Sequence, residues 1–143
     1  MILLTPDLDA RLRANAHAQR AALAAGEREP DPPPIVKFFA PTGTATWLAT
    51  ELDADGDTLF ELADLGFGCP ELGRFTLAEI AALHLPFRLA IKRDLYFDSD
   101  TPLSRWADAA RIAGSISAAQ PTIARAGSAR ASNPLPPSDP DDG

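Results

Sequence analysis

The chain has one cysteine, one methionine, one tyrosine and two histidines in 143 residues. With a single cysteine, Cys69, an internal disulfide framework is excluded, and the composition fits a reducing compartment. Cys69 with His84 is the thiol–imidazole pairing to weigh, but no Asn or Asp is tied to it by a recognisable motif. Zinc-ligand spacing, a glycine-rich phosphate loop and a helix-turn-helix signature are also missing. No segment approaches the roughly 18 consecutive apolar residues of a membrane span. The opening MILLTPDLDARLR lacks the basic leader and long apolar stretch of a signal peptide. A cytoplasmic protein without membrane attachment, cofactor or metal is expected.

Basic residues are scarcest where acids are densest. The formal charge of −7 falls entirely within residues 31–100, which hold twelve acids and five bases, while both flanking stretches are balanced. Residues 51–79 hold eight acids against Arg74 alone. Affinity for DNA rests mainly on Lys and Arg neutralising phosphates, and negative surface repels them. Direct duplex binding is therefore not expected.

Eight of the fourteen prolines fall in two clusters, Pro30–Pro34 and Pro134–Pro140. They suggest an N-terminal helix and linker over residues 1–30, a core domain over 31–114 and a disordered tail over 115–143. The tail is small, polar and proline-broken, a composition that buries too little surface to offset its ordering entropy.

Local signals place the elements. Thr5-Pro6-Asp7 starts a helix: a capping hydroxyl, a proline suited to the first position and an acid at the positive dipole end. Leu8 and Leu12 lie one turn apart, His17 has no partner at helical spacing, and Gly26 stops the helix. Ile35–Phe39, Thr46–Glu51, Thr58–Leu65 and Glu71–Phe75 read as strands, with Trp47 and Ala49 on one face of the second. Asp55-Gly56 between two apolar runs is a hairpin signal. Thr76-Leu77-Ala78-Glu79 fits a capping box, with Leu77, Ile80, Ala81 and His84 sharing the face of a helix that Pro86 ends. Within Leu89–Phe97, Arg93-Asp94-Leu95-Tyr96-Phe97 suggests a last strand, and Thr101-Pro102 a second Thr-Pro helix start. The fold expected is α+β. An antiparallel sheet of four or five strands is packed on one face by the N-terminal and Thr101 helices, with the capping-box helix at an edge or end.

Several phrases carry a resemblance: LLTPDL (Leu3–Leu8), VKFFAPTGTATWLATE (Val36–Glu51), DGDTLFELADLG (Asp55–Gly66), ELGRFTLAEI (Glu71–Ile80) and IKRDLYF (Ile91–Phe97). In order and spacing the chain resembles a small bacterial family, domain of unknown function 2958, over roughly residues 2–105. The resemblance implies a plasmid or integrative-element context, near genes of conjugation and DNA processing, and supplies no catalytic residue. Where relatives tend to have a second aromatic and a glycine in the third strand, this chain has Glu61-Leu62-Ala63.

Three function classes follow. Asp53, Asp55, Asp57 and Asp64 occupy positions one, three, five and twelve of a twelve-residue loop, but Thr58 replaces the glycine and strands replace the helices of a calcium hand. Their weight lies instead in charge: an acidic accessory protein of a mobile element, binding a protein partner through Glu51, Asp53, Asp55, Asp57 and Glu61 and imitating DNA toward a DNA-processing or host-defence protein. Alternatively, Glu51 and Asp94 form an acid–base pair of a hydrolase acting on a nucleotide or nucleic acid. A third class is a single-strand binder, with Lys37, Arg88, Lys92 and Arg93 as cations and Trp47 and Tyr96 as stacking platforms. The enzyme requires Glu51, Asp94 and Lys37 around one pocket. The accessory protein requires a broad acidic face without such a pocket, and the strand binder Trp47 or Tyr96 exposed beside Lys92 and Arg93.

Overall fold

The computed structural model describes residues 2–43, 45–83, 85 and 89–132. Helix α1 (Pro6–Ala25) starts at the Thr-Pro signal: Thr5 is extended and its hydroxyl accepts from the Leu8 amide at 3.3 Å. It stops at Gly26, whose φ of 69° suits glycine, while the Glu27 amide donates to the Ala22 carbonyl at 2.9 Å.

The sheet contains β1 (Val36–Phe39), β2 (Thr46–Leu52), β3 (Thr58–Asp64), β4 (Glu71–Thr76) and the two-residue β5 (Lys92–Arg93). The spatial order is β4-β3-β2-β1-β5 and every pairing is antiparallel. Helix α2 (Leu77–Ala81) follows β4 directly and carries both halves of the capping box: the Glu79 amide donates to Thr76 Oγ1 at 2.9 Å, and Glu79 Oε1 accepts from the Thr76 amide at 2.8 Å. His84, Pro86 and Arg88 lie outside the described residues.

Both faces of the sheet are covered, so the expectation of two helices on one face is corrected. On one face Leu12 of α1 and Ile80 of α2 join Val36, Phe38, Trp47, Ala49, Leu52, Leu59 and Ala63. On the other, Leu48 and Leu62 meet α3 (Leu103–Ala113) through Leu103, Trp106, Ala107 and Ala110, and α4 (Ile116–Ser132) through Ile116 and Ala119. The cause is visible in β2, every residue of which is buried. Alternate residues point to opposite sides of a strand, so a fully buried strand has two faces that need a covering layer.

Three further expectations change. The second Thr-Pro site is not capped by Thr101; α3 starts one residue later and is capped by Asp31, which accepts from the Ser104 amide at 3.2 Å and from the Ser104 hydroxyl. The Leu103 amide also donates to Pro32 O, which ties the proline-rich linker to the core. The tail expected to be disordered from residue 115 instead forms α4, because its small residues pack on α3 and Asp64 on β3 holds its start. Asp64 Oδ2 accepts from the Ile116 amide and Oδ1 from the Gly66 amide, both at 2.9 Å. Residues 133–143 lie outside the described residues. Finally, the strand expected over Arg93–Phe97 is instead the two residues Lys92–Arg93, because Asp94 Oδ1 accepts from the Tyr96 amide at 2.9 Å and turns the chain away. Among the described residues, no helix is long and apolar enough to cross a membrane.

Candidate functional site

Strand β2 has an irregularity where the acids begin. Ala49 pairs with Glu61, but Glu51 pairs with Phe60, so Thr50 is an extra residue in the ladder. The bulge is anchored from α1, where Asn15 Nδ2 donates to Thr50 O at 2.8 Å. Strict alternation would put Glu51 on the apolar face with Trp47 and Ala49. The extra residue moves it to the other side and sends Leu52 into the apolar layer. Phe60 pairs in turn with Arg74, giving a row Glu51–Phe60–Arg74 across three strands, in which the Arg74 guanidinium lies 5.3 Å from the Phe60 ring centre.

This row forms part of a cleft of about 570 Å³, whose other walls come from α1, the linker and the β2–β3 turn. Gln19 and Arg20 enter from α1, Glu29 from the linker, and Asp53 and Asp55 from the turn. Glu51 is 7% exposed. Burial pushes its carboxyl up from the usual range; Arg74 and Arg20 pull it down, and Asp53 and Glu29 add to the rise. Asp53 Oδ2 stands 3.7 Å from the Arg74 guanidinium.

The remaining turn aspartates work mainly within the fold. Asp55 Oδ1 accepts from the Asp57 and Thr58 amides, both at 2.9 Å, and Oδ2 from the Thr58 hydroxyl at 2.6 Å. These bonds, the Thr58 hydroxyl first, pull the exposed Asp55 carboxyl down to about 2. Asp57 fixes the start of α2: its Oδ1 accepts from the Ala78 amide at 3.0 Å and its carbonyl from the Leu77 amide at 2.8 Å. Arg13 on α1 closes over the turn through Ala54 O.

The other sequence candidates fall elsewhere. Asp94 lines a second cleft of about 470 Å³ with Tyr96, Phe97, Asp98 and Trp106. Lys37 Nζ lies 3.9 Å from Asp94 Oδ2 and 3.4 Å from Gln120 Oε1. Glu51 and Asp94 thus line different clefts and are not brought together as an acid–base pair. Arg93 donates to the carbonyls of Ile2 and Leu3, both at 2.8 Å, holding down the N-terminal segment.

Trp47 and Glu61 are corrected as binding candidates, since both are fully buried. Trp47 packs edge-on against Phe75 and presents no stacking face to solvent. Glu61 shares the apolar face of β3 with Leu59 and Ala63, and its two oxygens have no hydrogen-bond partner among the described residues. Tyr96 is 93% exposed. In place of the broad acidic face expected, Glu51, Asp53 and Asp55 line a cleft. Cys69 is exposed in the β3–β4 loop.

Sequence reasoning missed Gln19, Arg20, Glu29, Phe60 and Arg74. Helix docking and strand register bring them to Glu51 from four separate segments, and no motif marks them.

The architecture defines the class: an α+β protein with helices on both faces of an antiparallel sheet and a cleft of mixed charge at the end of strand β2. The sequence model of one family, described as Protein of unknown function (DUF2958), matches residues 3–117, and the chain belongs to that family. Comparison with curated proteins and with solved structures finds no match.

Proposed function

We propose that this protein is an acidic accessory protein, in the mobile-element setting that its resemblance implies, which docks on a basic surface of a DNA-processing or host-defence protein. The observation that supports the reading is the gathering of Glu29, Glu51, Asp53 and Asp55 around one cleft, the first from the linker and the others from β2 and its turn. Carboxylates presented in this way attract the Lys- and Arg-lined grooves that bind DNA, and the attraction is screened by salt.

The test is competition. Labelled duplex DNA bound to a panel of restriction and DNA-processing enzymes is titrated with this protein at low salt, and displacement is followed by fluorescence anisotropy. Displacement of the duplex from at least one enzyme is expected. The double reversal Glu29→Lys, Asp53→Lys should weaken it by about tenfold or more, as close charge pairs across an interface do. If the unaltered protein displaces duplex from none of them, the reading fails.

A further inference from the structure

Two acceptor groups in this cleft are left unanswered by the fold. The Glu51 side chain is more than nine-tenths buried, and among the described residues its carboxylate makes no hydrogen bond or ion pair. Gln19 Oε1 is buried and likewise has no partner. The orientation of that amide is settled by chemistry: Gln19 Nε2 must be the donor in its 2.7 Å contact with the Pro30 carbonyl, so the remaining atom is the oxygen. A carboxylate and an amide oxygen therefore line one cleft without a hydrogen bond among the described residues, although the Arg20 and Arg74 guanidiniums act electrostatically on Glu51. The unpaired, buried Gln19 oxygen carries a desolvation cost that a ligand bearing N–H groups would relieve, and the Glu51 carboxylate offers such a ligand a second acceptor in the same cleft.

We propose that the cleft receives one arginine side chain from the partner protein, whose guanidinium is held by the Glu51 carboxylate and Gln19 Oε1. This rests on the accessory reading and gives it an anchor. A guanidinium presents five N–H donors in a planar fork, so it can meet a carboxylate and an amide oxygen together; a lysine ammonium is a compact point charge. Ala16 and Leu23 supply apolar wall for the aliphatic stem. The Phe60 ring already faces the Arg74 guanidinium, so the incoming group is directed to the acceptors rather than to the ring. The charges facing Glu51 are Arg20 from α1, Glu29 from the linker, Asp53 and Asp55 from the turn and Arg74 from β4; carboxylates outnumber guanidiniums.

The probe is N-acetyl-arginine amide, with the lysine and norleucine analogues alongside, titrated into the full chain and followed by two-dimensional amide NMR. Shifts confined to the stretches around Gln19 and Glu51 are expected, with affinity on the order of millimolar for arginine, weaker for lysine and none for norleucine. Glu51→Gln should weaken arginine about tenfold, the worth of one charge-assisted hydrogen bond. In the unaltered protein, arginine affinity should rise with pH as Glu51 ionises, which keeps the test decisive if the variant does not fold. Absence of arginine shifts, equal binding of norleucine, or an affinity indifferent both to pH and to Glu51→Gln would each overturn the proposal. The accessory reading is judged separately by duplex displacement, using a variant that retains Glu51.

Discussion

Glu61 ought to make this protein most stable in mild acid. Burial, with a contribution from Glu79, pushes its carboxyl from its ordinary 4.5 up to about 9. In the folded chain it keeps its proton through neutral pH, whereas the unfolded chain releases it near 4.5. Between those limits the native state binds more protons than the unfolded state, so stability falls as pH rises. Each pH unit in that window costs about 1.4 kcal/mol, so the loss at pH 7 is about 3 kcal/mol, a large share of the roughly 5–15 kcal/mol available to a small domain. Glu61→Met removes the carboxyl and retains a long, flexible side chain in the apolar layer. Relative to the unaltered chain, it should gain about 3 kcal/mol at pH 7 and little near pH 4.5. Glu61→Gln keeps a polar head and should also lose the dependence. Urea unfolding followed through the buried Trp47 and Trp106 reads the difference between proteins, in which titrations common to both cancel. If the Met-minus-wild-type difference were flat between about pH 5 and pH 9, Glu61 would not be a buried, proton-holding group, and the reasoning would be wrong.

Two other perturbations test the framework around the site. Asp64→Ala removes a buried carboxylate that accepts from Ile116 and Gly66; a loss of about 3 kcal/mol is expected, with amide exchange in α4 accelerating more than in α1. Gly56 has a φ of 72°, and a Cβ built there would lie 2.8 Å from Arg13 Nη2. Gly56→Ala should therefore cost about 1–2 kcal/mol in denaturant midpoint, and the cost should persist in an Arg13→Ala background, because the flexible guanidinium can move and the backbone strain cannot.

The parts of the fold legible in the sequence are those set by neighbours in the chain. Thr5-Pro6, Gly26 and the Thr76–Glu79 box act through bonds spanning three to five residues, so their residue types suffice to find them. The first four strands are likewise visible in β-branched and aromatic runs. Layering was not legible: Trp47 and Leu48 are adjacent and equally apolar, and nothing local says that α1 covers one and α3 the other. Helix α4 was hidden because the residue that fixes its start, Asp64, lies 52 positions earlier. For the site, Glu51 was found by its place at the end of TWLATE. Asp94 is not its companion, because it serves a turn on the far side of β1. Arg20 and Arg74 are ordinary surface arginines until the register and the helix dock are known.

The extra residue at Thr50 also changes how relatives should be compared. Upstream of it, odd-numbered positions of β2 face α1; downstream, even-numbered ones do, as Ala49 and Leu52 illustrate. Strand β2 therefore has two reading frames, joined where Asn15 grips the Thr50 carbonyl. A relative lacking one residue here would present a different side chain to the cleft while keeping every apolar position upstream. Sequence identity across β2 would then overstate likeness at the cleft, and the residue aligned with Asn15 would be the better guide to whether the cleft is retained.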